Sequence, residues 1–269
     1  MNKARRNEKL KTASLYTVLF ILTSMSTSAL LMQQAFAPPT DCGWEITGVS
    51  GPFIYAQGTY SGTQYSRYGV SATQLITNPT VCGTFQSDGS IVANLIAIIG
   101  PTTDYIETGY YKGNYTSEGM VSNTVPHYFW GKYYGTNRQY SDISTGTSKY
   151  PNVNDWIYFE TRGNIDTSNH DWHVKIERTS DYTINIDGLT MNQAYGPESW
   201  VELEAHNNKS SATSHFKSIT DAKNIGGSMN WVSWGSNSYA TWTSDSRNPY
   251  RSCKVSDTEF TMYTQPGSC

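Results

Sequence analysis

No stretch of the chain repeats apolar residues at helical spacing over three turns, and this absence limits the fold more than any other feature. After residue 37, short segments that alternate apolar and polar residues recur instead, each bounded by Gly, Asn, Asp or Pro. Alternation with a period of two is typical of strands that bury one face. The sequence therefore predicts an all-β fold.

Residues 1–37 have the features of an export leader. A basic head precedes an apolar run from Leu15 to Met32, and Ala35-Phe36-Ala37 matches a cleavage site between small residues. The run is about long enough to span a bilayer, which needs ~17–25 residues, so an uncleaved anchor is the alternative to a cleaved signal peptide. Either reading predicts a secreted or cell-surface protein.

The remaining residues, 38–269, are numerous enough for one large β-domain. The leader has five basic residues and one acidic residue, so the rest of the chain has a net charge of −7. This acidic balance argues against nucleic acid or anionic lipid as a partner, and no membrane contact beyond the leader is expected. We predict a β-sandwich domain over 38–225, an aromatic extension over 226–269, and a monomer.

Four cysteines follow the leader, and an even number in an exported chain predicts two disulfides. Three pairings exist, of which loop length favours Cys42–Cys82 and Cys253–Cys269. Zinc sites need closer ligand pairs such as C-x2-C, which the sequence lacks. No metal or cofactor is expected.

The segment Ile91–Ile99 is the most apolar after the leader, and it predicts a central strand buried on both faces. Two segments, Asn114–Thr124 and Gly135–Asn154, have the composition of loops. Further strands are predicted at Trp44–Val49, Phe53–Thr59, Val81–Gln86, Asp104–Gly113, Pro126–Tyr134, Trp156–Thr161, Asp171–Arg178, Tyr182–Ile186, Trp200–His206 and His215–Thr220.

Two of these strands carry carboxylates among aromatic residues. Alternation places Glu107 on the face opposite Ile106, Thr108 and Tyr110, and it places Glu202 opposite Val201 and Leu203. Glu204 shares the face of Glu202 and is the alternative to it. If the two strands belong to one sheet, the carboxylates meet in an open groove.

The same segments resemble the lectin-like glutamic peptidases, the eqolisin and neprosin groups. Ile106-Glu107-Thr108-Gly109 resembles their Gln/Glu–small–Gly strand, and Glu in place of Gln is nearer the neprosin type. The order of later pieces is also similar: the aromatic strand around Trp130, the W-x-V-x-I strand Trp172–Ile176, Val201-Glu202, and the F-x-S-x-T strand Phe216–Thr220. The resemblance covers roughly residues 80 to 222.

This resemblance implies a two-sheet antiparallel β-sandwich, a concanavalin-like jelly roll, that hydrolyses peptide bonds at acid pH. It implies Glu107 and Glu202 as the catalytic pair. The residues around them predict a groove for an extended polypeptide, lined by Tyr105, Tyr111, Tyr128, Trp130, Trp200 and Glu204. The chain departs from the family at two places. Glu202-Leu203 replaces a Glu–Trp pair, and Trp130-Gly131-Lys132 replaces an acidic or doubly Trp motif.

The chemistry of such a pair follows from elementary electrostatics. One ionised carboxylate takes a proton from water, and a protonated partner polarises the scissile carbonyl. Two neighbouring carboxylates share a proton because both cannot ionise cheaply. Two non-catalytic alternatives remain: a lectin-like module that stacks Trp231, Trp234 or Trp242 on a surface glycan, and a structural cell-surface protein in which Glu107 and Glu202 are far apart.

Overall fold

The computed structural model describes residues 54–61, 67–81, 91–100, 104–115, 118–163, 170–179, 181–191, 196–205, 212–242, 250–264 and 269. Along these ranges the strands are β1 (Ile54–Ser61), β2 (Arg67–Leu75), β3 (Ile91–Ile99), β4 (Tyr105–Tyr115), β5 (Met120–Tyr134), β6 (Asn137–Asp142), β7 (Trp156–Gly163), β8 (Asp171–Arg178), β9 (Tyr182–Thr190), β10 (Glu198–Ala205), β11 (Thr213–Ile225), β12 (Ser228–Ser233), β13 (Ser238–Trp242), β14 (Arg251–Ser256) and β15 (Glu259–Tyr263). A short helix, α1 (Ile143–Thr147), follows β6.

The strands form two antiparallel sheets, as an all-β sandwich requires. The first sheet has the order β13-β1-β10-β3-β4-β5-β6, and we call it the site sheet. The second has the order β14-β15-β11-β2-β7-β8-β9, and β12 pairs with β11 outside this path. The predicted two-sheet antiparallel architecture is confirmed.

The main core lies between the inner faces of the two sheets. Alternation in β8 explains how one strand contributes to it: Trp172, Val174 and Ile176 are buried, whereas the residues between them are partly exposed. The site sheet contributes Ile96, Ile106 and other residues on the same side of their strands. Each inward side chain removes apolar surface from water, at about 25 cal/mol per Å².

Strand β3 has the central position that its composition predicts. It lies between β10 and β4, and eight of its nine residues are buried. Val92, Ile96 and Ile98 belong to the inter-sheet core, while Ala93, Leu95 and Ala97 belong to a second apolar cluster. The site sheet therefore has apolar groups on both faces, and its outer face is not simply solvated.

A buried ion pair within the second sheet is linked to the site sheet by a further hydrogen bond. Arg67 Nε of β2 donates to Asp221 Oδ2 of β11 at 2.7 Å, and both side chains are almost fully buried. Asp221 Oδ1 accepts from Ser199 Oγ of the site sheet at 2.6 Å and from Trp234 Nε1 at 2.8 Å. Asp221 thus accepts hydrogen bonds from residues of both sheets.

Three parts of the strand assignment differ from expectation. β2 has no predicted counterpart, and the segment assigned to a loop at 135–154 contains β6 and α1. Residues 120–124 begin β5 instead of a loop. β6 is an edge strand with half of its residues exposed, so its sequence lacks the alternation that indicates a strand.

The C-terminal segment is not a separate extension. β13 pairs with β1 in the site sheet, and β15 pairs with β11 in the second sheet. The expected boundary at 225/226 falls inside the β11–β12 hairpin, where Ile225 pairs with Ser228. Cross-strand hydrogen bonds, which sequence spacing does not reveal, incorporate this segment into the sandwich.

The predicted Cys253–Cys269 disulfide is confirmed. Several predictions fall outside the described residues: the leader, Cys42, Cys82 and the strand at 44–49. The same holds for residues 82–86 of the strand predicted at Val81–Gln86. Among the described residues, no helix is long and apolar enough to cross a bilayer.

The Asp221→Ala substitution should destabilise the protein by about 3–5 kcal/mol, because it leaves the Arg67 guanidinium buried without its carboxylate. The free energy of unfolding measured by chemical denaturation tests this. Asp187→Ala is the matched control, since Asp187 pairs with His173 at the surface and is 78% exposed. Its loss should cost less than about 1 kcal/mol. Equal losses in the two variants would contradict a structural role for the buried pair.

Candidate active site

The candidate site lies on the outer face of the site sheet. In β4, Ile106, Thr108 and Tyr110 point into the sandwich, as predicted, and Glu107 lies on the other face. Glu107 is nevertheless only 7% exposed and Glu202 is 6% exposed. Burial on the outer face arises from a second apolar cluster that surrounds the carboxylates: Ile91, Ala93, Leu95, Ala97, Tyr111, Tyr115, Met120 and Phe129.

Strand register brings Glu107 and Glu202 towards each other across β3. Ala97 pairs with Glu107 on one side and with Trp200 on the other, and Leu95 pairs with Glu202. β4 and β10 are therefore two strand spacings apart, about 10 Å. Ala97 is small, so the two longer carboxylate side chains can extend towards each other above it.

Steric crowding explains why the last position of the Ile106–Gly109 motif is glycine. A Cβ at Gly109 would lie 2.7 Å from Cα of Leu95 on the neighbouring strand and would overlap the carbonyl oxygen of Asn94. Only glycine permits β4 to approach β3 this closely. The close approach supports the register that places Glu107 beside Ala97.

Glu202 has a direct hydrogen-bond donor on the adjacent strand. Gln57 of β1 is the cross-strand partner of Glu202, and its Nε2 donates to Glu202 Oε2 in a short hydrogen bond. Gln57 is itself only 5% exposed. An amide donor stabilises the ionised form of a carboxyl group, so this contact favours negative charge on Glu202.

Glu204 lies two residues along β10 and hydrogen bonds to Glu202. Burial raises the pKa of Glu204 to about 7, against the lowering effects of the Glu202 hydrogen bond and the Arg138 charge. The two glutamates that the sequence leaves as alternatives are thus both present on one face. Of these two glutamates, Glu202 accepts the hydrogen bond from Gln57.

Glu107 is held by a residue of the edge strand. The Tyr140 hydroxyl hydrogen bonds to the Glu107 carboxyl, and Tyr140 pairs with Gly131, which in turn pairs with Glu107. Oε1 of Glu107 is buried without a hydrogen-bond partner. A buried carboxyl oxygen that lacks a partner is costly, and this oxygen is therefore a candidate contact for a bound ligand or water.

Burial, followed by the neighbouring Glu204 charge, raises the pKa of Glu107 and that of Glu202 well above the usual range. Arg138 and the Tyr140 hydrogen bond act in the opposite direction on the pKa of Glu107, and the Gln57 hydrogen bond does so on that of Glu202. The charge of Glu107 also raises the pKa of Glu202. The three carboxyls therefore titrate as one coupled group.

The predicted groove residues divide between the two faces of the sheet. Tyr105 and Trp200 lie on the face of the carboxylates, and Tyr111 lies beneath as part of the second apolar cluster, its hydroxyl donating to Asp142 at 2.8 Å. The assignment of Tyr128 and Trp130 to the groove is wrong: both belong to the inter-sheet core. Trp130 pairs with the inward-facing Thr108, so pleating directs it away from Glu107.

Sequence reasoning misses three residues that contact the carboxylates or act on them: Gln57, Arg138 and Tyr140. Gln57 occupies an alternating strand, so its face was predictable, but its partner depends on the β1–β10 pairing. Arg138 and Tyr140 belong to the polar edge strand β6, whose sequence indicates a loop. No pattern in the sequence reveals either contact.

A cavity of about 480 Å³ lies elsewhere, lined by residues of the second sheet and its hairpins such as Arg162, His173 and Asp187. None of the three carboxylates lines it. Within the described part of the chain, no group of three or more His, Cys, Asp or Glu side chains is arranged to hold a metal ion.

The comparisons with known proteins support the fold. The sequence matches no protein-family model and no curated protein. Two crystal structures of Scytalido-glutamic peptidase, one with a peptide-based transition state analog and one with a transition state analog inhibitor, give TM-scores of 0.52 and 0.53 at 13% and 12% identity. Each alignment covers 78% of this chain and 97% of the peptidase.

SCP-B, a member of the Eqolisin family solved with the tripeptide Ala-Ile-His, gives a TM-score of 0.47 at 14% identity, covering 78% of this chain and 96% of SCP-B. The protein has the glutamic peptidase-like β-sandwich fold, as its sequence motifs predict. At these identities the likeness concerns the architecture alone.

The raised pKa values predict that stability falls as pH rises. Between about 4.5, the ordinary value of a glutamate, and about 7, the pKa of Glu204, the folded protein binds more protons than the unfolded chain. The free energy of unfolding should therefore decrease across this window, on the order of 1–3 kcal/mol for Glu204 alone. Chemical denaturation at pH 5 and pH 7.5 measures the difference.

Glu204→Gln should reduce that difference, because a neutral amide removes the titration. Glu177→Gln is the control, since Glu177 is exposed on the second sheet and pairs with Lys175. A protein whose stability increases from pH 5 to pH 7.5 would contradict the clustering of these carboxyls.

Proposed function

We propose that the protein is a glutamic-type endopeptidase that hydrolyses peptide bonds at acid pH with Glu107 and Glu202. The observation that carries this proposal is the burial of both side chains on one face of the site sheet, where their charges interact. The fold is shared with peptidases that bind transition state analogs, which favours this chemistry over others that a carboxylate pair can perform.

The hydrogen bonds support different proposed roles for the two glutamates. Gln57 donates to Glu202 and favours its ionised form, so Glu202 is the general base that takes a proton from the attacking water. Glu107, whose pKa is raised first by burial and next by the Glu204 charge, keeps its proton and acts as the acid. Its unpartnered Oε1 is the oxygen available to polarise the scissile carbonyl.

The proton balance of the reaction closes within this pair. Water loses a proton to Glu202 as its oxygen bonds to the carbonyl carbon, and Glu107 donates its hydrogen bond to the developing oxyanion. Collapse of the tetrahedral intermediate breaks the C–N bond, and the proton held by Glu202 passes to the leaving amine. Each glutamate then has the protonation state with which it began.

The pH dependence follows from the same assignment. Activity requires ionised Glu202 and protonated Glu107, so it falls in strong acid and again when Glu107 loses its proton. Burial raises the pKa of each of these carboxyls above the ordinary 4.5. We therefore expect an optimum at mildly acid pH, above that of two exposed carboxyls.

Glu107→Gln and Glu202→Gln should each lower kcat by roughly 10²–10⁴-fold, because each removes one proton-transfer group. Hydrolysis of a denatured protein between pH 3 and pH 7 tests this, with Glu177→Gln as the control that keeps full activity. An inactive wild-type protein at every pH would contradict the proposed function. Activity that survives both substitutions would contradict the residue assignment.

The glycan-binding alternative has less support from the described residues. Trp234 is 2% exposed, stacks on Tyr60 and donates to Asp221, so it is not a platform for a sugar. Trp231 is 37% exposed and remains a candidate, whereas the side chain of Trp242 lies outside what the structure describes. Retention of the wild-type protein on polysaccharides, together with absent proteolysis, would favour this alternative over the peptidase.

We also propose that the chain is exported, as the leader over 1–37 predicts. The Cys253–Cys269 disulfide supports this, since disulfides persist mainly in oxidising compartments. Expression with the intact leader should yield a secreted product, and N-terminal sequencing should begin at Pro38 if the leader is cleaved. A product that stays inside the cell with reduced cysteines would contradict export.

A further inference from the structure

Tyr140 approaches Glu107 through a space that exists because residue 131 is glycine. Gly131 lies between the two residues in the cross-strand row. A Cβ there would lie 2.6 Å from Cδ1 of Tyr140 and 2.8 Å from Oε1 of Glu107. Any larger residue at 131 would displace the ring, the carboxyl or both.

The position of the Tyr140 ring is determined by its neighbours. The ring packs against Phe129 and Tyr115, with centroid distances of 6.3 and 6.0 Å. Its hydroxyl lies 2.8 Å from the hydroxyl of Tyr105, which stacks on Tyr133. Tyr140 is thus held at both its ring and its hydroxyl.

The Tyr140 hydroxyl has two neighbours, the Tyr105 hydroxyl and the Glu107 carboxyl. Either hydroxyl of the tyrosine pair can be the donor between them, and the hydrogen bond from Tyr140 lowers the pKa of Glu107. A donor to a carboxyl group favours its ionised form. Tyr140 therefore acts against the burial that raises the pKa of Glu107, and its ring lies beside Oε1 of that carboxyl at Gly131.

We infer that Tyr140 is a positioning residue that orients the Glu107 carboxyl, and that Gly131 provides the space for this contact. The inference rests on the proposed function, because it assigns Glu107 the role of acid. It adds a residue from the edge strand β6 to a site otherwise built from the central strands of the sheet.

The other charged groups near Glu107 do not replace Tyr140. Glu204 of β10 opposes ionisation of Glu107 by its charge, and the charge of Glu107 in turn raises the pKa of Glu202. Arg138 of β6 favours its ionisation, but Arg138 Nη1 donates to the Tyr115 hydroxyl at 3.1 Å. Of the groups that act on Glu107, Tyr140 supplies the side-chain hydrogen bond.

Tyr140→Phe tests the inference, because phenylalanine keeps the ring and removes the hydroxyl. We expect kcat to fall about 10- to 100-fold with KM changed less than about 2-fold, as for a mispositioned catalytic group. The alkaline limb of the pH profile should move to higher pH, since the lost donor stabilised the ionised carboxyl. Tyr134→Phe, on the exposed end of β5, is the control.

A titration that needs no catalysis separates this inference from the proposed function. The Glu107 carboxyl is followed by ¹³C NMR in protein labelled at glutamate, with the signal assigned by its absence in Glu107→Gln. Tyr140→Phe should raise the pKa of Glu107. If the pKa is unchanged, the inference is overturned, whether or not the wild-type protein is a peptidase.

Gly131→Ala provides a second variant that leaves the tyrosine intact. The added methyl group should displace Tyr140 and reproduce both the loss of kcat and the pKa shift. Gly146→Ala is its control, because a Cβ at 146 meets no atom within 4 Å. A loss of activity in Gly131→Ala or Tyr140→Phe without any shift of the pH profile or the pKa would indicate a structural role and overturn the inference.

Discussion

The burial of carboxyl groups on the outer face of a β-sheet is the constraint on which the candidate site depends. A solvent-facing glutamate on a strand is ordinarily hydrated, yet Glu107 and Glu202 are each more than nine-tenths buried. The cause is β3, which is apolar on both faces and supplies Ala97 and Leu95 beneath the carboxyls. Aromatic residues of β4, β5 and β6 complete the surroundings.

This arrangement links stability and chemistry. Burial disfavours ionisation, so the cluster is least costly to the fold when it is protonated and destabilises the fold as pH rises. The same property keeps a proton on Glu107 in the proposed reaction while Gln57 favours charge on Glu202. The core between the sheets, with its Arg67–Asp221 ion pair, lies on the opposite side of the strands. Substitutions there should alter stability without altering the pH profile.

The fold and the proposed chemistry are supported by different observations. The sandwich is shared with glutamic peptidases over 78% of the chain, but at 12–13% identity the shared property is the fold. Unrelated functions commonly occupy one fold, so the function must rest on the side chains themselves. Here those side chains include Tyr140, which enters the space that Gly131 leaves open.

The sequence by itself determined the all-β class, the doubly buried β3 and the outward face of Glu107, because period-two alternation and composition are local properties. Loop length favoured the Cys253–Cys269 pair among three pairings, and the structure decided it. The sequence left Glu202 and Glu204 unresolved, misplaced Tyr128 and Trp130, and predicted a loop where β6 carries Arg138 and Tyr140. Those outcomes depend on which strands pair and in which register. Only the tertiary structure decided them, since cross-strand partners such as Gln57 and Glu202 are 145 residues apart in the chain.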